Sequence, residues 1–344
     1  MQKSPYKILV SISALCLMTA CSKQETESQV ISNTEPAVLT VMPGNSYLSS
    51  VSEPSKNELQ ISNNLLEVVR TLSVDIGERN IENIENFNKA SNYIKTKLKS
   101  YGYAPESNSY NYKKYTIENI YTVKPANIKT DKVIIVGAHY DSLSGTVGAN
   151  DNASGVAVLL ELARILKDEK LNTNIHFVAF ANEEPPYFKT EKMGSLVYAK
   201  KSRQQGINIV AMYSLETMGA YYDNKGSQKY PYPLGQYYPD TANFIAFVSD
   251  TKSRKLLKNS VKIFRDSAKI PSEGLSAPEN IEGVSWSDHW SFWQAGYPAI
   301  MITDTAPFRY KHYHQITDTY EKIDFIRMSR VTSGISQMLQ QITK

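Results

Sequence analysis

Two short stretches carry the side chains best suited to hold a metal or move a proton. His139-Tyr140-Asp141-Ser142 follows an apolar run, Val133 to Val136 and then Gly137, and Asn150-Asp151-Asn152-Ala153-Ser154-Gly155 comes soon after it. The run reads as a buried parallel strand that delivers His139 at its C-terminal end. Residues two apart on an extended chain share a face, so His139 and Asp141 point the same way. Asp151 then stands just ahead of an apolar helix, Val156 to Leu166. An imidazole and a carboxylate at a strand end, with a second carboxylate at a helix start, make a mouth for a divalent cation. The plainer alternative is that Asp151 only caps the helix and His139 is a satisfied core histidine.

Other strand ends add to the set. Ile175 to Ala181 reads as a buried strand ending on Asn182-Glu183-Glu184, and Ile207 to Leu215 as another ending on Glu216. A loop before the last helix, Phe308 to Thr319, supplies His314. Two histidines, 139 and 314, with Asp151, Glu184 and Glu216 suit a pair of hard-to-borderline cations with one carboxylate bridging. Such a pair generates hydroxide near neutral pH and polarises a carbonyl. Glu183 is left over to relay the proton. Glu183-Glu184 reads equally as a solvated charge pair, whereas Glu216 buried without a partner would be costly. His176 lies inside a strand and reads as structural; His289 and His312 stay open as ligands.

The elements that must position these groups follow from periodicity. A first amphipathic helix runs from Leu59 to Leu72 and breaks at Asp75 to Arg79; a second starts near Glu85 and closes at Tyr101-Gly102-Tyr103. Tyr110 to Lys124 alternates as two strands broken near Glu118-Asn119, and Met193 to Ala199 starts a helix. After a Tyr/Pro/Gly-rich loop, Tyr221 to Asp240, come a strand (Phe244 to Ser249) and a helix (Ser253 to Ser267). A short helix (Ser287 to Gly296), a strand (Pro298 to Thr303) and a closing helix (Phe325 to Ile342) complete the chain. Alternating strands and helices predict an α/β fold, a mostly parallel mixed central sheet with helices on both faces. Its site lies beyond the C-terminal ends of the strands.

The chain has 344 residues, enough for one large α/β domain or two small ones, a formal charge of only +4 and no Lys/Arg block, so nothing points to nucleic acid. Met1 to Lys7 is basic and Ile8 to Met18 is apolar but too short to span a bilayer. Leu17-Met18-Thr19-Ala20-Cys21 resembles a bacterial lipoprotein signal cleaved before Cys21, and Ser22 leans towards the outer membrane. The only other cysteine, Cys16, would leave with that signal, so no disulfide is expected in the exported chain. The expected organisation is a signal over 1–20, a disordered tether over 21–57 and a catalytic domain over 58–344.

Taken in order, His139-Tyr140-Asp141-Ser142, Asn150 to Gly155, Asn182-Glu183-Glu184, Glu216-Thr217-Met218-Gly219, Ser287-Asp288-His289 and Tyr313-His314 resemble the co-catalytic two-zinc aminopeptidases. That family also contains the glutaminyl cyclases. The resemblance implies one zinc on His139, Asp151 and Glu216 and another on Asp151, Glu184 and His314. It also implies Glu183 as general base, Asp141 as the partner orienting His139, and Tyr313 as donor to the oxyanion. A cis peptide bond after Asp151 belongs to the same pattern. Glu216 departs from it, since many relatives carry Asp there. Trp286, Trp290, Phe292, Trp293 and Phe308 are candidates for a side-chain pocket, and Arg309 for anchoring a substrate carboxylate or pairing with Asp304 or Asp318. The expectation is a lipid-anchored zinc aminopeptidase acting on peptides in the cell envelope. A single-zinc glutaminyl cyclase and a non-catalytic peptide-binding lipoprotein are the alternatives.

Overall fold

A computed structural model describes residues 38–48 and 52–344. The expected signal, Cys21 and the start of the expected tether lie outside the described residues. Ser55 opens the first helix, α1 (Lys56–Arg70), with a reciprocal cap: its hydroxyl accepts from Glu58 N while Glu58 Oε2 accepts from Ser55 N. The helix widens through Ile76 and stops at Gly77, whose φ of 83° suits glycine. Helix α2 (Ile84–Ser100) follows and buries Phe87, Ala90, Ile94 and Leu98.

Eight strands form one sheet in the order β1-β2-β4-β3-β5-β8-β6-β7. They are β1 (Glu106–Tyr112), β2 (Tyr115–Lys124), β3 (Lys132–His139), β4 (Asn174–Phe180), β5 (Asn208–Glu216), β6 (Ile245–Ser249), β7 (Ser272–Ser276) and β8 (Ala299–Thr303). The centre, β4-β3-β5-β8, is parallel. Strands β1 and β2 add on antiparallel at one side, and β6 pairs antiparallel with β8 at the other. The predicted mixed, mostly parallel sheet is the one found.

Helices α3 (Gly155–Leu166), α5 (Arg254–Arg265) and α8 (Phe325–Ile342) join α1 and α2 on one face; α4 (Gly194–Gln204) and α6 (His289–Gln294) cover the other. A one-turn helix, α7 (Ala306–Arg309), follows β8. The β3 interior, Val133 to Ala138, is buried on both sides, as a continuous apolar run requires. None of the helices among the described residues is long and apolar enough to cross a membrane.

Three expectations are corrected. The β1–β2 turn falls at Lys113-Lys114, with Lys113 at φ 52°, and not at Glu118-Asn119. Asn119 is fully buried in mid-strand because its amide ties Asn108 Oδ1 and Gly194 O while its oxygen accepts from Ala181 N. Strand β7, Ser-Glu-Gly-Leu-Ser, was not anticipated; its small residues face α5 and carry no apolar signal. The folded unit also starts earlier than residue 58. Leu39 pairs with Ser276, and Ser46 Oγ accepts from Ser272 N, so residues 39–46 run along β7 as an added edge. Met42 is buried there against Gly274, where a Cβ would fall 2.5 Å from Met42 Cγ.

Candidate metal centre

The C-terminal ends of β3, β4 and β5 converge on one mouth, and each is followed by a chain reversal that aims carboxylates inward. Asn182 (φ 56°), Thr217 (φ 49°) and His314 (φ 57°) all take left-handed backbone although none is glycine. Such conformations persist where surrounding structure over-determines them, often at functional sites. Here the determinants are explicit. Asp141 Oδ1 accepts from Glu183 N at 3.1 Å and Oδ2 from Glu184 N at 3.0 Å, so one carboxylate fixes the β4 end. The same group lies 3.5 Å from His139 Nδ1, which leaves His139 Nε2 facing the mouth.

Asp151 stands between two histidines. Its Oδ1 is 3.3 Å from His139 Nε2 and its Oδ2 is 3.1 Å from His314 Nε2. Glu216 Oε2 lies 3.3 Å from His139 Nε2, and Glu184 Oε2 3.3 Å from His314 Nε2. Two sets result, His139-Asp151-Glu216 and Asp151-Glu184-His314, each with one donor atom per residue inside a 4.8 Å cluster. They share Asp151. Glu183 sits beside them, 3.9 Å from His139 Nε2, and belongs to neither set.

The electrostatics describe a place short of positive charge. Burial pushes the Glu184 carboxyl up to about 7, with the Asp151 charge adding to it. Burial raises Glu183 well above the carboxylate range, and Glu216, Glu184 and Asp288 push the same way against His139. Asp151 is held low despite burial because the His139 and His314 imidazoles face it at close range. His139 rises well above its ordinary value and His314 to about 10, since facing carboxylates overcome the burial that would neutralise them. His139 Nδ1 and Nε2, Asp151 Oδ1 and Glu184 Oε1 are buried without a hydrogen bond. A divalent cation in each set would satisfy His139 Nε2 and Asp151 Oδ1 and replace the imidazolium protons, and the N/O donors suit zinc. The residues present fit the group.

The loop that carries Asp151 is itself fixed by side chains. Asn152 Nδ2 donates to Leu215 O, and its Oδ1 accepts from Thr217 N and Gly155 N, which ties the loop to the β5 end. Gly155 can only be glycine, because a Cβ would lie 2.4 Å from Leu215 O. Asn150 Oδ1 accepts from Gly219 N while its Nδ2 donates to Asp304. The Asp151–Asn152 peptide bond is cis, as the resemblance implied. Asp318 closes the far side: it accepts from Asn150 N, Asp151 N and the Tyr310 hydroxyl. Arg79, wholly buried, donates to Tyr140 O at 2.8 Å, Val147 O at 2.5 Å and Gly148 O at 2.7 Å, bracketing the loop at both ends.

Arg79 carries no role in the sequence reading, and Asp318 only that of a possible partner for Arg309, with which the structure shows no ion pair. Asp318 lies four residues after His314, a spacing that hints at one loop serving one site. Arg79 had no signal, since a lone arginine after a helix break reads as surface. Ser287 also gains a partner, donating to Glu216 Oε2 at 2.7 Å, and the adjacent Asp288 is fully buried, its carboxyl pushed up to about 7 by burial.

The remaining candidates separate. Tyr313 stacks on His314 at 3.9 Å and lines an apolar cleft that opens beside Glu216. Tyr230, Leu234, Phe244, Val248, Met301 and Phe308 wall that cleft. Trp286 stacks with Phe308 at its rim. Trp290 is not part of the wall; the Lys189 ammonium lies over its ring. Phe292 and Trp293 pack in the core.

Arg309 is corrected as a carboxylate anchor. Its Nε donates to Gln228 Oε1 and its Nη1 to the carbonyls of Ala220, Ala242 and Phe244; Nη2 has no hydrogen-bond partner, but the whole guanidinium is buried behind the cleft wall. Of the five histidines, the three outside the centre have other partners. His176 meets Tyr198 OH, His289 Nε2 meets Val284 O, and His312 meets Thr317 Oγ1.

The model of peptidase family M28 matches residues 119–339. Uncharacterized protein YfbL of Escherichia coli (strain K12) is 37% identical over 284 residues, 80% of this chain and 86% of that protein. Aminopeptidase YwaD of Bacillus subtilis (strain 168) is 28% identical over 240 residues, which cover 67% of this chain and 45% of the relative. A solved glutaminyl cyclase from Porphyromonas gingivalis shares the fold at a TM-score of 0.62 and 20% identity, covering 82% of this chain and 98% of that one.

Proposed function

The chain belongs to peptidase family M28, and from that premise we propose that it is a zinc-dependent aminopeptidase that removes N-terminal residues from peptides. The observation that carries the reading is the pair of complete donor sets sharing Asp151, with Glu183 beside them and bound to neither. His139, Asp151 and Glu216 would hold one zinc, and Asp151, Glu184 and His314 the other. Zinc bound there supplies Lewis acidity toward a carbonyl and lowers the pKa of water.

The chain's own residues do the rest. Glu183, with its proton affinity raised by burial and neighbouring carboxylates, takes a proton from water and returns it to the leaving amine. Asp141 holds the Glu183 and Glu184 amides, so base and ligand keep their spacing. The Tyr313 phenol stays protonated, because burial and the Asp151 charge raise it, and donates to the developing oxyanion. The cleft seats a large apolar side chain next to the scissile bond.

One observation favours a second reading, a single-zinc glutaminyl cyclase: Glu216 is one methylene longer than the family's commoner Asp and is already engaged by Ser287. Incubating the protein with a mixed peptide library, with and without a zinc chelator, separates the two. Chelator-sensitive loss of single N-terminal residues in the mass spectrum supports the aminopeptidase. Ammonia loss confined to peptides that begin with Gln would replace it by the cyclase. An unchanged library under zinc-replete conditions would leave a binding protein. We place the enzyme on the periplasmic side of the cell envelope, anchored through acylated Cys21, a reading supported by the Leu17 to Cys21 sequence.

A further inference from the structure

Helix α5 gathers what the linear sequence disperses. From Thr251 to Arg265 there are six cationic residues and not one Asp or Glu. Lys252, Lys255, Lys258 and Lys262 line one groove with Pro43, Val210, Leu256 and Pro298, an apolar floor between ammonium groups. Lys262 pairs with Asp266 at 3.2 Å, whereas no carboxylate among the described residues lies within ion-pair distance of Lys252, Lys255 or Lys258. All three are exposed. A basic face with apolar residues between its charges is the composition that lies on an anionic lipid surface.

Topology gives this face a direction. Strand β6 runs antiparallel to β8, so Ser249 and the start of α5 sit at the end of the sheet opposite the metal mouth. Val210 and Pro298 begin β5 and β8 at that same end, with Met212 N donating to Pro298 O. The chain enters the fold there too: Leu39 pairs with Ser276, which lies beside Ser249. From Cys21 to Val38 there are 17 residue steps, which span at most roughly 60 Å along any path.

We propose that the face formed by Lys252, just ahead of α5, with Lys255 and Lys258 on α5 docks on the anionic lipid surface that carries the acylated N-terminus, holding the metal mouth away from the bilayer. The proposal rests on the anchoring of Cys21 for its occupant and on the groove for its location.

The test uses the full chain reconstituted in phosphatidylcholine vesicles with or without about 30 mol % phosphatidylglycerol, labelled with an amine-reactive reagent and read residue by residue by mass spectrometry. Labelling of Lys252, Lys255 and Lys258 should fall roughly threefold on the anionic vesicles and recover at high salt. Lys113 and Lys114, in the β1–β2 turn at the mouth end, are the internal reference. In a Lys252→Gln/Lys258→Gln chain, protection of Lys255 should be lost while hydrolysis of soluble peptides is unchanged. Equal labelling on both vesicles overturns the proposal, and so does protection of Lys113 and Lys114 in place of the α5 lysines. Intact mass on the same sample reports whether Cys21 is acylated, so failure of the anchor shows there and not in the labelling.

Discussion

Removing the Arg79 guanidinium tests whether the metal loop is held from behind. Arg79→Met keeps the length and apolar stem of the side chain but deletes the three short hydrogen bonds to Tyr140 O, Val147 O and Gly148 O, with a longer one to Gly77 O at 3.3 Å. Hydrogen bonds from a charged donor are each worth about 1.5–3 kcal/mol, so three sum to roughly 5–9 if fully additive. Val147 is half-exposed beside the exposed Ser144 and Gly145, so water can reach part of the gap. A loss of about 4 kcal/mol is therefore expected, near 8 °C in Tm at the ~2 °C per kcal/mol suited to a chain of this size. The guanidinium also faces Asp141, Asp318, Asp151 and Glu184, so zinc affinity should change as well.

Arg79→Lys separates the two effects. It restores a positive charge but not a fork of donors, so a charge-only role predicts recovery of stability and a clamp role does not. Urea unfolding of metal-free protein gives the stability, and chelator competition gives the affinity. If Arg79→Met unfolds within about 1 kcal/mol of the parent and binds zinc equally well, the clamp reasoning is wrong.

Other expectations follow from the centre and its surroundings. Glu183→Gln should remove turnover by at least a factor of about 10² while zinc content by elemental analysis stays at the parent level; normal turnover would reassign the base. Glu216→Asp draws the carboxylate back from Ser287 Oγ and His139 and should lower zinc stoichiometry, read by the same analysis. His176 is held by burial at about 4 against an ordinary 6.5. Its folded pKa lies below its unfolded value, so the unfolded chain binds the extra proton between these limits. The stabilisation is complete above pH 6.5 and is lost as pH falls towards 4, up to about 3 kcal/mol. His176→Phe should flatten that part of the urea-unfolding profile, and an unchanged slope would place the effect elsewhere.

The metal mouth was legible because strand ends announce themselves. The runs before His139, Glu183 and Glu216 are apolar on both faces, which marks central parallel strands, and a buried carboxylate at their ends needs a partner. Residues that support the mouth from a distance were not legible. Arg79 and Asp318 act through backbone groups, and a side chain that binds a carbonyl or an amide leaves no pattern of its own in sequence. Arg309 was misread for the same reason, since its acceptors are carbonyls that the loop over 221–240 brings to it only in the fold. Strand β7 escaped because its buried residues, Ser272, Gly274 and Ser276, carry no apolar signal, Gly274 being kept small by Met42 packed over it. The β1–β2 turn escaped because Lys113-Lys114 lacks the Asn-Gly or Asp-Gly chemistry that usually marks a two-residue reversal.

Asp151 lies in a loop stitched to its neighbours by Asn150, Asn152, Asp318 and Arg79. Asp151, the ligand both sets share, cannot swing out with its loop without disturbing bonds to β5 or to the loop that carries His314. Zinc, once loaded, therefore leaves on the timescale of a cooperative opening of that whole corner, and not by stepwise shedding of donors. Isotope exchange of bound zinc should then run at a rate set by the protein, indifferent to how much competing chelator surrounds it. Where free zinc rises and falls, such an enzyme would keep its metal through scarcity and outlast the supply that loaded it.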